Sequence, residues 1–216
     1  MSLLKAYFLI VLILLVDQVS KIYVKTNFIL GEEVHVFEWF QIHFIENKGM
    51  AWGVEIPGQY GKLVLSIFRI LVVPGIGYWL WDSVQRKSSN YLIVAIALIF
   101  AGAVGNIIDS VFYGVIFDDS HQQLATIFSE NPYGTWLNGQ VVDMFYFPFV
   151  RDYPMPEWVP YFGGRNFTFF NAIFNVADVA ISTGVGILIV FNKKAFHKDH
   201  LYFFSNSFKK DLGKTT

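Results

Sequence analysis

Charged and amide side chains recur inside the apolar segments of this chain, where polar groups are costly. The set comprises Asp17, Lys21, Arg69, Asn106, Asp109, Asn175 and Asp178. Ionisable groups inside membrane-type segments are rare, and they are functional candidates by default. Two carboxyl groups in a low-dielectric pocket share one proton, so one can activate a water molecule while the other polarises a carbonyl group. These residue types therefore predict the chemistry of an aspartic peptidase.

A further acid, Asp143, lies outside these segments but within the apolar run Val141-Val142-Asp143-Met144-Phe145. A carboxyl group in a solvated loop does not need such neighbours. We therefore expect this stretch to dip back towards the membrane surface and to bring Asp143 to the other polar groups.

The spacing of the polar residues places them in pairs. Asn106 and Asp109 are three residues apart, as are Asn175 and Asp178, and each pair shares one helix face. Asp17 and Lys21, four residues apart, can form a local ion pair. Two simpler roles remain open. The amides could serve only as hydrogen bonds between helices, and Asp17 and Lys21 could serve only to neutralise each other.

The composition indicates which elements must position these groups. The chain has 216 residues, of which 54% are hydrophobic, 19% aromatic and only 15% charged, and its net charge is −1. This balance argues against a nucleic-acid binder and indicates a membrane protein. The absence of cysteine excludes disulfides, thiolate metal sites and a cysteine nucleophile. We expect one integral-membrane domain, residues 1–216, with four spans at about 3–24, 63–81, 91–113 and 167–191.

Helical geometry predicts that the polar groups of three spans lie in one layer. With about 1.5 Å of rise per residue, Asp17 lies about 18 Å, Asp109 about 28 Å and Asp178 about 22 Å from the inner ends of their spans. The layer falls in the outer part of the membrane. Small residues at Gly102 and Gly105 should let another backbone approach the third span closely.

The distribution of charge predicts the orientation. Basic residues lie before the first span, between the second and third, and in the tail, whereas the two long connections are acidic. Both termini should therefore be cytoplasmic. Residues 27–58 are rich in aromatic and β-branched residues and predict a small outer sheet. Residues 114–165 predict a long, ordered outer loop on the membrane interface.

Two other functions remain to be weighed against a peptidase. One is a proton- or ion-coupled carrier that uses Asp17, Asp109 and Asp178 as a relay, although the chain shows neither repeats nor interrupted helices. The other is a non-catalytic membrane scaffold, which leaves the common polar layer unexplained. His197 and His200 are too weak a pair to predict a metal site.

Five motifs in this order resemble those of the lipoprotein signal peptidases, or signal peptidase II. They are Asp17-Gln18-Val19-Ser20-Lys21, Glu46-Asn47-Lys48-Gly49-Met50-Ala51-Trp52, Gly105-Asn106-Ile107-Ile108-Asp109, Val141-Val142-Asp143 and Phe174-Asn175-Val176-Ala177-Asp178. The resemblance implies a cofactor-free aspartic peptidase of the bacterial cytoplasmic membrane. It would be a monomer among membrane lipids, with lipidated prolipoproteins as substrates and no nucleic acid as partner.

The resemblance also implies roles for individual residues. Asp143 and Asp178 would be the catalytic pair, and the outer strands around residues 34–55 would form a cradle over the substrate. Four side chains would orient the pair or the substrate, and two would brace the site. These are Asn47, Asn106, Asp109 and Asn175, and then Asp17 and Lys21.

The chain departs from this family in two places. The family usually has arginine after the Gly-Asn-x-x-Asp motif, whereas this chain has Ser110. Arg151 and Arg165 are candidate replacements. The stretch between Gly114 and Val141 is also much longer than expected, and it predicts an insertion, residues 115–140, that reshapes the substrate entrance.

Overall fold

The computed structural model describes residues 1–47, 60–161 and 163–196. Its helices are α1 (Leu3–Asn27), α2 (Gly61–Gln85), α3 (Asn90–Ile108), α4 (Gly114–Ile116) and α5 (Val176–Val190), and a π-helical turn, Asp109–Tyr113, joins α3 to α4. Its strands are β1 (Glu33–Phe37), β2 (Phe40–Asn47), β3 (Val141–Tyr146), β4 (Val150–Pro154), β5 (Asn166–Phe169) and β6 (Ile173–Phe174).

Among the residues that the structure describes, three apolar segments are long enough to cross a membrane, which supports the prediction of a multi-pass protein. They are Leu3–Asn27, Gly61–Gln85 and Asn90–Ile116. The fourth predicted span differs, because α5 has 15 residues and is about 22 Å long. Residues 166–169 and 173–174 are strands rather than the start of that helix. Hydropathy does not separate a short buried strand from a helix, because both are apolar runs.

Four strands form one antiparallel sheet in the order β1-β2-β3-β6, and β4 pairs with β5 in a separate hairpin. In the pairing of β2 with β3, Ile45 lies opposite Asp143 and Glu46 opposite Val142. The predicted small sheet is thus present, although residues 48–58 of that region lie outside the described residues. The stretch around Asp143 forms β3, which lies between β2 and β6 in the sheet, and five of its six residues are buried.

The chain divides into two compact units. The first comprises Met1–Asp17, Phe68–Gly105 and the chain from Val176 onward. Its helices pack around a core that includes Ala6, Leu80 and Ile93. A Cβ atom on Gly102 would collide with the carbonyl oxygen of Ala177. The structure therefore confirms that this glycine lets a second backbone approach α3.

The second unit comprises Gln18–Ile67 and Asn106–Asn175. Its core joins the outer turns of α1 to the sheet and to the predicted insertion, and it includes Val24, Phe44, Tyr113, Phe117, Val142 and Met144. The insertion folds back on itself. Phe117 bridges Ile127, and the amide of Gly134 donates to the carbonyl of Gly114 at 2.9 Å. The stretch predicted as one loop, residues 114–165, thus contains α4, β3 and β4.

Candidate active site

The carboxyl group of Asp143 lies in the middle of β3, and the residue is 3% exposed. Its Oδ1 accepts a hydrogen bond from Nδ2 of Asn175 at 2.7 Å, and its Oδ2 accepts one from Nδ2 of Asn47 at 3.1 Å. Asn47 ends β2, and Asn175 directly precedes α5. Two neutral amide donors, one on each oxygen, therefore fix the plane of this carboxyl group.

The side-chain amide of Asn175 contacts several residues of the surrounding network. Its Nδ2 also lies 3.2 Å from the carbonyl oxygen of Val142 and 3.2 Å from Oδ1 of Asn106. An amide nitrogen has only two hydrogens to share among three acceptors. The bond to Asp143 is the shortest of the three, so we assign it the better-aligned hydrogen. Asn175 is fully buried, which fits an orienting role rather than solvation.

Lys21 and Asp109 form a fully buried ion pair, with Nζ 2.8 Å from Oδ2. Nζ of Lys21 also donates to Oδ1 of Asn106 at 3.0 Å, which connects the pair to Asn175. Nε2 of Gln18 donates to Oδ1 of Asp109 at 2.9 Å. These bonds matter because a buried ion pair offsets its desolvation cost only when its remaining donors and acceptors are also satisfied.

Ser110, which stands where the family usually has arginine, lies in the π-helical turn that begins at Asp109. Ser110 is buried, and its hydroxyl donates to the carbonyl of Asn106 at 2.9 Å. The amide of Gly139 donates to the carbonyl of Ser110 at 2.9 Å. A Cβ atom on Gly139 would collide with the carbonyl oxygen of Asp109. The returning outer loop therefore packs directly against this turn.

Arg151, one of the two candidate replacements for the missing arginine, pairs with Glu33 instead. Its two terminal nitrogens lie 3.4 Å from the carboxylate oxygens of Glu33. The second candidate, Arg165, lies beside the β4–β5 hairpin, where its carbonyl accepts the amide of Met155 at 3.0 Å. Arg151 thus joins β4 to β1, because Glu33 begins that strand.

Asp17 is a buried acid of the first unit, and it caps a helix. Its Oδ1 accepts the backbone amide of Ala177, in the first turn of α5, at 2.9 Å. The first amides of a helix have no partner within the helix, and a negative charge there is stabilised by the helix dipole. Asp178 lies in the same first turn and is half-buried.

No group of three or more metal-binding side chains occurs among the residues that the structure describes. His197 and His200, the weak sequence candidates, lie outside those residues.

Comparison with known proteins decides the family. The model of signal peptidase (SPase) II matches residues 9–193. This chain belongs to the signal peptidase II family. The lipoprotein signal peptidase of Porphyromonas gingivalis is 50% identical over 185 residues, which cover 84% of this chain and 80% of the relative. That of Amoebophilus asiaticus is 36% identical over 198 residues, covering 88% and 78%.

Two solved structures, each described as a bacterial membrane enzyme, share the fold of this signal peptidase II family member. One has a TM-score of 0.60 at 24% identity and covers 88% of this chain and 89% of its own. The other has a TM-score of 0.58 at 25% identity and covers 89% and 94%. The resemblance drawn from five motifs is therefore confirmed, as is the prediction of a membrane aspartic peptidase.

Six of the eight predicted site residues belong to one hydrogen-bonded network in the second unit. They are Lys21, Asn47, Asn106, Asp109, Asp143 and Asn175. The other two, Asp17 and Asp178, lie in the first unit. Sequence reasoning did not select Gln18 or Tyr113, whose hydroxyl donates to Oε1 of Gln18 at 3.2 Å. The available signal was the position of Gln18 directly beside an intramembrane acid.

Proposed function

We propose that this chain is an aspartic endopeptidase that removes the signal peptide from diacylglyceryl-modified prolipoproteins and cuts just before the lipidated cysteine. Membership of the signal peptidase II family and the names of its relatives support prolipoproteins as substrates. The observation that carries the proposal is the buried carboxyl group of Asp143, held by the amides of Asn47 and Asn175. Two carboxyl groups supply both the acid and the base, so the mechanism needs no cofactor.

Asp143 and Asp178 are the catalytic pair in this proposal. The ionised carboxylate takes a proton from water as the water oxygen attacks the scissile carbonyl carbon, and the protonated partner donates to the carbonyl oxygen. The C–N bond then breaks, and a proton passes to the nitrogen of the lipidated cysteine. Asp178 follows Asn175 by three residues and lies in the first turn of α5.

The remaining network residues orient and brace this pair. Asn47 and Asn175 donate hydrogen bonds to the carboxyl group of Asp143. Asn106 accepts hydrogen bonds from both Lys21 and Asn175 and so connects these two residues. Three further side chains belong to the supporting set. They are Asp17, which caps α5, and the ion pair of Lys21 with Asp109.

The proposed location is the bacterial cytoplasmic membrane, with both termini in the cytoplasm and the enzyme a lipid-embedded monomer. The charge asymmetry supports this orientation. Because the chain has no cysteine, single cysteines at Lys87 and Gln123 can be labelled separately in intact cells. We expect a membrane-impermeant maleimide to label Gln123→Cys and to spare Lys87→Cys. The reverse pattern would overturn the orientation.

The direct test is incubation with a diacylglyceryl-modified lipobox peptide, with the unlipidated peptide as control. We expect cleavage of the lipidated peptide alone, immediately before the cysteine as read by mass spectrometry. Asp143→Asn and Asp178→Asn should each abolish cleavage while the protein still inserts, because an amide cannot exchange the required proton. Full cleavage by either variant would overturn the proposed pair.

A further inference from the structure

Lys25 is a fully buried lysine that the proposed chemistry does not use. It lies in the last turn of α1, and its side chain is 0% exposed. Its ammonium group bonds to the carboxylate of Glu46 and donates to Oγ of Ser120 at 2.8 Å. The hydroxyl of Ser120 in turn donates to Oε1 of Glu46 at 3.1 Å. The three side chains form a closed ring of hydrogen bonds, and this Lys25–Glu46–Ser120 ring is called the clamp below.

Three aromatic rings cover the ammonium group of the clamp. Nζ of Lys25 lies 6.0 Å from the ring centre of Phe44, 5.3 Å from Phe117 and 4.8 Å from Tyr133. These distances are in the range of cation–π attraction, which strengthens when the cation is desolvated. Burial also raises the pKa of the Tyr133 phenol, which is consistent with an environment that excludes water.

The clamp joins three segments that are far apart in the chain. Lys25 belongs to α1, Glu46 to β2 and Ser120 to the outer loop that forms the predicted insertion. Backbone bonds reinforce the same junction. The amide of Ala125 donates to the carbonyl of Lys25 at 3.3 Å, and that of Leu30 donates to the carbonyl of Ser120 at 3.0 Å. The outer loop is therefore fastened to α1 and to the sheet around one buried charge.

Strand geometry connects the clamp to the candidate active site. Glu46 and Asn47 are consecutive residues of β2, so their side chains point to opposite faces of the strand. Asn47 shares a face with Ile45, which lies opposite Asp143 in the register. Holding Glu46 on one face therefore fixes where Asn47 points on the other, without the clamp entering the site.

We propose that Lys25 is a positioning residue of the peptidase, which clamps the outer loop onto β2 and thereby aims Asn47 at Asp143. The inference rests on the proposed catalytic role of Asp143. It also assigns a role to the predicted insertion. Three of its residues surround the ammonium group of Lys25, namely Ser120, Phe117 and Tyr133. The carboxylate that pairs with this ammonium group belongs to Glu46, which directly precedes the site residue Asn47.

The test compares Lys25→Met and the double variant Lys25→Met/Glu46→Gln with the unaltered enzyme in cleavage of the lipidated lipobox peptide. The double variant removes both charges, because Lys25→Met alone leaves a buried carboxylate and can fail to fold. Lys5→Met, an exposed lysine of the same helix, is the matched control. Asp143→Asn is the inactive reference.

We expect the folded double variant to lose about tenfold to a hundredfold in kcat, since small displacements of an orienting group cost that much. KM should change less than threefold. The acidic limb of the pH–rate profile should move to higher pH, because the Asp143 carboxylate loses part of a hydrogen bond that favours its ionised form. A purely structural lysine would lower the amount of folded enzyme and leave that limb in place.

A second measurement follows the outer loop directly. A glutamate-specific protease should cut the double variant faster after Glu130, in the outer loop, while its rate after Glu157, beyond β4, stays constant. Unchanged kcat, pH profile and cutting at Glu130 in a folded double variant would overturn the clamp. If instead Asp143→Asn still cleaved the lipidated peptide, the proposed function would fail, which separates the two outcomes.

Discussion

The side-chain amide of Asn175 donates a 2.7 Å hydrogen bond to the carboxylate of Asp143 across the sheet, and both residues are buried. Along the chain, Asn175 follows β6 and directly precedes α5. It also contacts Asn106, which accepts from Lys21. The side-chain amide of Asn175 therefore connects the buried Lys21–Asp109 ion pair, through Asn106, to the candidate catalytic acid Asp143.

Asn175→Ala should lower kcat about tenfold to a hundredfold with little change in KM, because Asp143 loses its shortest orienting hydrogen bond. Steady-state cleavage of the lipidated lipobox peptide measures both constants. Asn171→Ala is the matched control, since this nearby amide accepts from the hydroxyl of Tyr146. Equal kcat values for the two variants would contradict the orienting role of Asn175.

Lys21→Met should destabilise the protein by about 3–5 kcal/mol, because it leaves the Asp109 carboxylate buried without its cation. Lys21→Met/Asp109→Asn should recover part of this loss, since the neutral pair carries no buried charge. Reversible denaturation in mixed detergent measures both values. Arg86→Gln is the control: it breaks the exposed pair with Asp82 and should cost under about 1 kcal/mol. Similar losses for Lys21→Met and Arg86→Gln would refute this account.

Gly102→Ala should destabilise the protein by about 1–3 kcal/mol, because the added methyl group would collide with the carbonyl oxygen of Ala177. Gly186→Ala, where no atom outside the adjacent residues and the local helix backbone lies within 4 Å of the added group, should be neutral or slightly stabilising, since alanine favours helix. Thermal melting in detergent compares the two. The prediction fails if both variants melt at the same temperature.

Motifs at fixed spacing could be predicted from the sequence, whereas their partners depended on tertiary contacts. Asn106 and Asp109, three residues apart on an apolar helix, were selected for that reason, and both lie in the network. The start of α5 was misplaced, because Phe167 to Phe174 is apolar whether it forms strand or helix. Lys25 was not selected, because Glu46 and Ser120 are 21 and 95 residues away.

His43 should make the stability of the sheet depend on pH. It lies in β2 with Nδ1 3.2 Å from Oε1 of Glu33. Tyr146 packs edge-on against its ring, and Arg151 approaches both Tyr146 and Glu33. Burial lowers the pKa of His43 below its ordinary value of 6.5, and the carboxylate of Glu33 only partly opposes this effect. The native state therefore disfavours the protonated imidazole.

The sign of the effect follows from proton linkage. When the folded pKa lies below the unfolded value, the unfolded chain binds more protons as the pH falls, so stability is full above 6.5 and declines below it. The melting temperature should therefore fall more between pH 7 and pH 5 for the unaltered protein than for His43→Gln. His35→Gln alters an exposed histidine of β1 and should show the same change of melting temperature with pH as the unaltered protein. If His43→Gln also showed that same change, burial of the His43 ring would not be the source of the acid sensitivity.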